Sequence, residues 1–434
     1  MEDADEAVSE GSEGFIWLSP QLRRWWLRAR APALTLIGPL PVSRTGPISI
    51  HAVLMARRLL LGLLGLVVAT IAAWAIAIGP VAAWRVLTHG TTTVWDHLEY
   101  PGRDLSPSPT PLRWPPAVEP LQAPDVLVEG AALPLESLLV DRDALAFLVI
   151  DNGELVYEWY ASGHSAGEPS MVFSVTKSIF SLLFGAAIDD GLIGSVDDPV
   201  TAYLPELDEA GFGSVALGDL LGMDSSVNYA EGDNPFGTHV EFNYTDDLTS
   251  AILALRVREQ PDTVFRYKSG DNALLGLVLD SVLGDESITG YLQDRLWNPL
   301  GAEAGGVWST DDEGGLERTW CCLAATARDL ARFGELVLER GEWRGQRLLS
   351  TDWLRASFEP GFSTGRWPSD YDESPVINYG YGWWLTEDAY VALGKGGQYL
   401  YIDPTRQVVV VRLGRADGGI GWIDVLSQVA DATG

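Results

Sequence analysis

The hydrophobic positions of this chain fall into three patterns, each of which predicts a different kind of segment. From Leu59 to Trp84, 26 residues pass without a charge. A helix needs about 20 apolar residues to cross a bilayer, so residues 55–85 are expected to form one transmembrane signal-anchor. Residues 101–124 are rich in proline and lack any period, and 86–125 is expected to be a semi-rigid spacer. From about Val126 the pattern becomes globular. Ala144–Ile150 and Leu155–Tyr160 are β-rich runs joined by Asp151-Asn152-Gly153, a strong hairpin signal. Ser174–Asp190 has helical period and is stopped by Gly191, and Asn272–Leu283 and Ala324–Glu339 follow as helices. Four strand-like runs then appear at Tyr381–Leu385, Tyr390–Gly394, Gln398–Ile402 and Gln407–Leu413, before a final helix over Trp422–Ala432. Strands at both ends of a helical middle predict an α+β domain over 126–434, an antiparallel sheet flanked by helices with a helical subdomain.

Charge orients the apolar run. Seven arginines precede it (Arg23, Arg24, Arg28, Arg30, Arg44, Arg57, Arg58), and only Arg85 and Arg103 follow soon after. The positive-inside rule then predicts a single-pass protein of a bacterial inner membrane, with everything after Trp84 periplasmic or extracellular. A cleaved signal peptide is the rival, but its apolar region should be shorter, at about 7–15 residues. Met55-Ala-Arg-Arg resembles a start of translation, so residues 1–54 are either a cytoplasmic tail or an over-extended reading frame. The net charge of −31 excludes a protein that tracks nucleic-acid phosphates, which needs a basic face. The two cysteines are adjacent, at Cys321 and Cys322. They exclude a disulfide framework and a four-cysteine zinc site, and are expected to be small buried hydrophobes rather than a vicinal disulfide.

Lysine use narrows the chemistry. Of 29 basic residues only three are lysine: Lys177, Lys268 and Lys395. A position that keeps lysine where arginine is the habit is a candidate for needing a removable proton. Ser174-Val175-Thr176-Lys177 opens a predicted helix, where free N–H groups stabilise developing negative charge. Lys177 lies one turn on, within reach of the Ser174 hydroxyl, and a desolvated lysine can act as the base that activates serine. Tyr267-Lys268-Ser269 supplies a tyrosine able to relay a proton, with Lys268 expected to point to solvent. Lys395-Gly396-Gly397-Gln398 joins two predicted strands. There Gly397 would let a substrate lie against the strand edge, and the Gln398 N–H would pair with that of Ser174 as an oxyanion hole. Gly163-His164-Ser165-Ala166-Gly167 also fits a nucleophile elbow, but no apolar helix follows it and it is read as a loop.

The ordered set S-V-T-K, Y-K-S and K-G-G resembles the serine β-lactamase and penicillin-recognising superfamily. Within it, the chain is most similar to the class C-related branch of esterases and 6-aminohexanoate-dimer hydrolases, over about residues 140–430. The resemblance implies a β-lactamase/DD-peptidase-like fold and a hydrolase needing no metal or other cofactor, with a small ester, amide or peptide-like molecule as substrate. It makes Ser174 the nucleophile, Lys177 the base and Tyr267 the second acid/base, with Lys395 and Gln398 at the third motif. Tyr229 falls in a region that helps bind substrate in the nylon-oligomer enzymes. Class C β-lactamases carry asparagine where Ser269 stands and threonine where Gly396 stands, so the substrate expected here is an ester or simple amide rather than a β-lactam. A cell-wall D-alanyl carboxypeptidase and a catalytically silent binding module of the same fold are the alternatives. Trp383-Trp384 and Tyr379-Gly380-Tyr381 fit either a substrate cleft or sheet core.

Overall fold

The computed structural model describes residues 50–90, 92–234, 236–257, 265–358 and 376–433. The expected tail or over-extended frame therefore lies outside the described residues as far as position 49.

A seven-stranded antiparallel sheet forms the centre of the domain. Its order is Asn378–Tyr379, Trp384–Leu385, Tyr390–Gly394, Gln398–Asp403, Val408–Gly414, Ala144–Asp151, Glu154–Tyr160. The first and last parts of the globular sequence thus pair in the middle, with Val410 opposite Val149. Both central strands are covered on both faces, which is why they read as continuous apolar runs. Alternate residues enter opposite layers: Leu148, Ile150, Val409 and Val411 join one cluster, and Phe147, Val149, Val408 and Val410 the other. At the predicted hairpin, Asn152 and Gly153 both have positive φ (47° and 78°), as a tight Asn-Gly turn requires.

The first layer is packed by the helices Val175–Asp189, Ser269–Leu283 and Ala327–Leu338, and the second by Leu135–Asp141 and Trp422–Asp431. The helix predicted from Ala324 begins three residues later, because Leu323–Ala325 is a strand. Thr326 caps the helix by accepting the Asp329 N–H at 3.1 Å.

Residues 101–124 are not a spacer. Gly102–Leu105 pairs with Gly306–Ser309 as the edge of a second sheet, which continues through Leu323–Ala325 to Ser170–Met171. Leu105 and Trp114 are buried in the core, and the Arg332 guanidinium stacks 5.0 Å from the Trp114 ring centroid. Proline-rich chain is extended and contributes isolated residues to a core, so it shows no period even when it packs.

The apolar run is not one helix either. Ile50–Ile78 ends at Gly79 (φ 89°), and Pro80 opens a second helix, Pro80–His89. Within the first, Arg57–Ile76 is long and apolar enough to cross a membrane. In the second, Ala82 and Ala83 pack with Val240 and Tyr244, and Arg85 donates to the carbonyls of Tyr244 (3.2 Å), Thr245 (2.9 Å) and Asp311 (3.0 Å).

Candidate active site

Ser174 stands immediately before the helix Val175–Asp189, whose residues Val175 to Ala187 are all buried. Phe173 precedes it with a φ of 47°, a conformation a bulky side chain rarely takes and one that concentrates at functional sites. The turn places Lys177 over Ser174: Nζ donates to Ser174 Oγ at 3.0 Å and to the Trp320 carbonyl at 2.8 Å. The same nitrogen lies 4.8 Å from the centroid of the Tyr267 ring. Lys177 is 1% exposed. Burial brings its pKa down to about 8, against the opposing pull of the Glu231 charge.

Tyr267 stacks on Trp384 with centroids 5.3 Å apart and meets Tyr379 edge-on. Trp383, Trp384 and Tyr379 are buried, which resolves the open choice in favour of sheet core, with Trp384 as the platform under Tyr267. Lys268 does not point to solvent. It is 4% exposed, donates to Ser225 Oγ at 2.8 Å and pairs with Asp271 at 3.2 Å. One residue on, Ser269 begins the next helix and its N–H donates to Glu231.

The Lys395–Gly397 turn is held from behind. Gly396 and Gly397 have φ of 77° and 80°, and Arg412, stacked on Trp422, donates to the Gly397 carbonyl. Gln398 spends its side chain on the neighbouring strand: Nε2 donates to Gly414 O at 2.6 Å and Oε1 accepts from Gly414 N at 3.1 Å. Its side chain is therefore committed to that turn and strand. That strand end abuts Ser174, because a Cβ on Gly394, the ladder partner of Gln398, would sit 3.2 Å from Ser174 N. Lys395 is half-exposed, 3.3 Å from Thr92 Oγ1 and 3.9 Å from Asp233.

A cavity of about 290 Å³ opens beside Ser174, walled by Ser269, His239, Lys395, Trp320 and the Cys321–Cys322 pair. The cysteines form a vicinal disulfide, contrary to the expectation of small buried thiols, and Cys322 has a φ of 75°. Tyr229 is not part of the cavity wall. It is buried behind His239, whose Nδ1 is 2.9 Å from its hydroxyl. The residues that sequence reasoning missed are His239, in that wall, and Glu231 behind it, paired at 2.7 Å. Gly163–Gly167 is a loop, with the His164 N–H returning to Ala161 O. Among the described residues, no cluster of three or more His, Cys, Asp or Glu is arranged to hold a metal ion.

The β-lactamase family model matches residues 135–421, about two thirds of the sequence, including Ser174, Lys177, Tyr267 and Lys395–Gln398. The chain belongs to the β-lactamase family. This family member is 29% identical over 332 residues to the 6-aminohexanoate-dimer hydrolase of Paenarthrobacter ureafaciens, covering 71% of this chain and 82% of that one. Its fold superposes with a TM-score of 0.66 on a provisionally assigned 6-aminohexanoate-dimer hydrolase from Bacillus anthracis, at 25% identity over 78% of this chain and 92% of the other. A penicillin-binding protein from Bacillus halodurans shares the fold at a TM-score of 0.53 and 17% identity, over 68% and 99% of the two chains. The β-lactamase/DD-peptidase-like fold expected from sequence is therefore the observed one, and the protein is a serine hydrolase.

Proposed function

We propose that this serine hydrolase cleaves a small ester or simple amide through an acyl-enzyme on Ser174, and that Arg57–Ile76 anchors it in a membrane. The observation that carries the chemistry is Lys177, fully buried, its Nζ shared between Ser174 Oγ and the Trp320 carbonyl and its pKa near 8. In its neutral form it takes the Ser174 hydroxyl proton as Oγ attacks the substrate carbonyl carbon. The carbonyl oxygen, now an oxyanion, accepts from the N–H groups of Ser174 and Gln398. Collapse expels the alcohol or amine, which Tyr267 protonates, and water then cleaves the acyl ester by the reverse proton path. Support for ester or amide over β-lactam comes from Ser269 and Gly396, which replace an amide side chain and a hydroxyl at the second and third motifs.

A fluorophosphonate probe followed by peptide mass spectrometry tests the assignment. Label on Ser174, abolished by Ser174→Ala and retained in Ser165→Ala, is expected, and the opposite pattern refutes it. Turnover of aryl esters and anilides with little hydrolysis of a chromogenic cephalosporin supports the substrate class. Release of D-alanine from a D-alanyl-D-alanine peptide as the dominant activity would favour the cell-wall alternative, and no turnover with no label a binding module. For the anchor, a reporter active only in the periplasm should work when fused after Gly434. Activity of a cytoplasm-only reporter there would reverse the topology.

A further inference from the structure

Glu231 belongs to none of the three motifs, yet it touches two parts of the site and its field reaches a third. One carboxylate oxygen accepts the Ser269 N–H at the start of the helix that follows Tyr267 and Lys268. The other accepts His239 Nδ1 at 2.7 Å, and His239 lines the cavity beside Ser174. Two donors of this kind hold a carboxylate ionised, and they keep Glu231 below the ordinary glutamate range despite its burial. We infer that Glu231 is a positioning residue of the reaction, one carboxylate that fastens the Tyr267–Ser269 segment to the cavity wall and presents a negative charge to Lys177.

This rests on Ser174 and Lys177 acting as proposed above. The groups that face Lys177 are the Ser174 hydroxyl, the Tyr267 ring, the Trp320 carbonyl and Glu231. Those that face Glu231 are His239, the Ser269 amide, Lys177, and the neighbouring Tyr229 and Asp271, the latter paired with Lys268. Burial and Glu231 pull Lys177 in opposite directions, so the carboxylate partly offsets burial and leaves the lysine a firmer hold on a proton than burial alone would. The proton that leaves Ser174 then has a charged state to be held in while the acyl-enzyme forms. Without the carboxylate the lysine would deprotonate more easily but bind that proton less well.

The test compares kcat/KM against pH, from about pH 5 to about pH 10, for the full chain and for Glu231→Gln on one aryl ester. Glutamine keeps the shape and its carbonyl still accepts the Ser269 N–H; its amide N–H then donates to His239 Nδ1 in the other ring tautomer, so both contacts persist while the charge is withdrawn. The acidic limb, which reports the base losing its proton, should move down by about one pH unit, the size of a shift produced by one nearby charge. On the plateau, kcat should fall more than KM changes. A limb that stays in place, or moves up, in a variant with unchanged melting temperature overturns the proposal, since a purely structural role would leave it there. If Glu231→Gln does not fold, Glu231→Asp carries the comparison: retreat of the charge by one methylene must still lower the limb, and an unmoved limb is equally fatal. Failure of the wild-type chain to form an acyl-enzyme on Ser174 would instead undo the proposed function, a result read in the same samples with the fluorophosphonate probe.

Discussion

Replacing Lys177 with methionine should make the protein inactive and, at neutral pH, more stable. The side chain is 1% exposed and its pKa falls from 10.5 to about 8 on folding because burial disfavours the ammonium. Below pH 8 the lysine is charged in both the folded and unfolded states, and the folded state bears the whole desolvation. At about 1.4 kcal/mol per pH unit the burden is about 3 kcal/mol. Above the unfolded value of 10.5 the amine is neutral in both states and the burden is gone, so wild-type stability should rise with pH between about 8 and 10.5. Methionine is close in volume and carries no charge, but it leaves the Trp320 carbonyl without the donor now 2.8 Å away, a loss of about 1 kcal/mol. The expected net gain at pH 7 is about 2 kcal/mol, or a melting temperature higher by roughly 4 °C for a domain of this size. The assay is thermal or urea unfolding of both proteins across that pH range, alongside ester hydrolysis. The difference should shrink from pH 8 upward and reverse in sign near pH 10, while kcat/KM falls about 10²–10⁴-fold at every pH. A stability difference that does not change with pH would refute a desolvated lysine, and retention of activity would refute lysine as the base.

Lys268→Ala should destabilise the fold by about 3–5 kcal/mol in urea titrations, because it strands Asp271 without its partner in the core; a change under about 1 kcal/mol would mean the pair is not formed. Reduction of Cys321–Cys322 by dithiothreitol, which oxidises the reagent and leaves two thiols, should lower kcat/KM about tenfold while Ser174 still labels. The disulfide stiffens the turn after the Trp320 carbonyl that holds Lys177. A Cys321→Ser, Cys322→Ser variant should match the reduced protein, and full activity in both would show that the turn is fixed by its hydrogen bonds alone.

The sheet was legible in the sequence because its strands carry period-two or uniformly apolar runs, and the Asn152-Gly153 turn sets their register. The Ser174–Lys177 contact was legible because the two residues lie on one helical turn, so their meeting needs no tertiary information. Glu231 and His239 were not, because they lie on an aperiodic stretch and gain meaning only where it meets Ser269 across the fold. Lys268 was misjudged for a similar reason. Its acidic partner Asp271 stands three residues on and could have been read, but the depth that makes the pair matter comes from Ser225 and Met223 on another segment. The disulfide was weighed in the sequence and set aside, because nothing there shows the unusual backbone, φ 75°, that Cys322 adopts beside Cys321.

The strand Gly102–Leu105 and the helix Pro80–His89 change where this enzyme can be cut. A shortened chain that begins at residue 126 would look complete by its match to the family, since every motif lies downstream. It would nonetheless strip the partner from Gly306–Ser309, baring a raw sheet edge prone to pair with another molecule. It would also remove Val86, Thr92 and Tyr100 from around Ser174, turning a walled cavity into an open groove. Such a fragment should aggregate, and whatever activity it kept would belong to a less selective catalyst than the native one. Separating the hydrolase from its apolar helix therefore calls for a boundary upstream of Pro80, at the glycine where the two helices part.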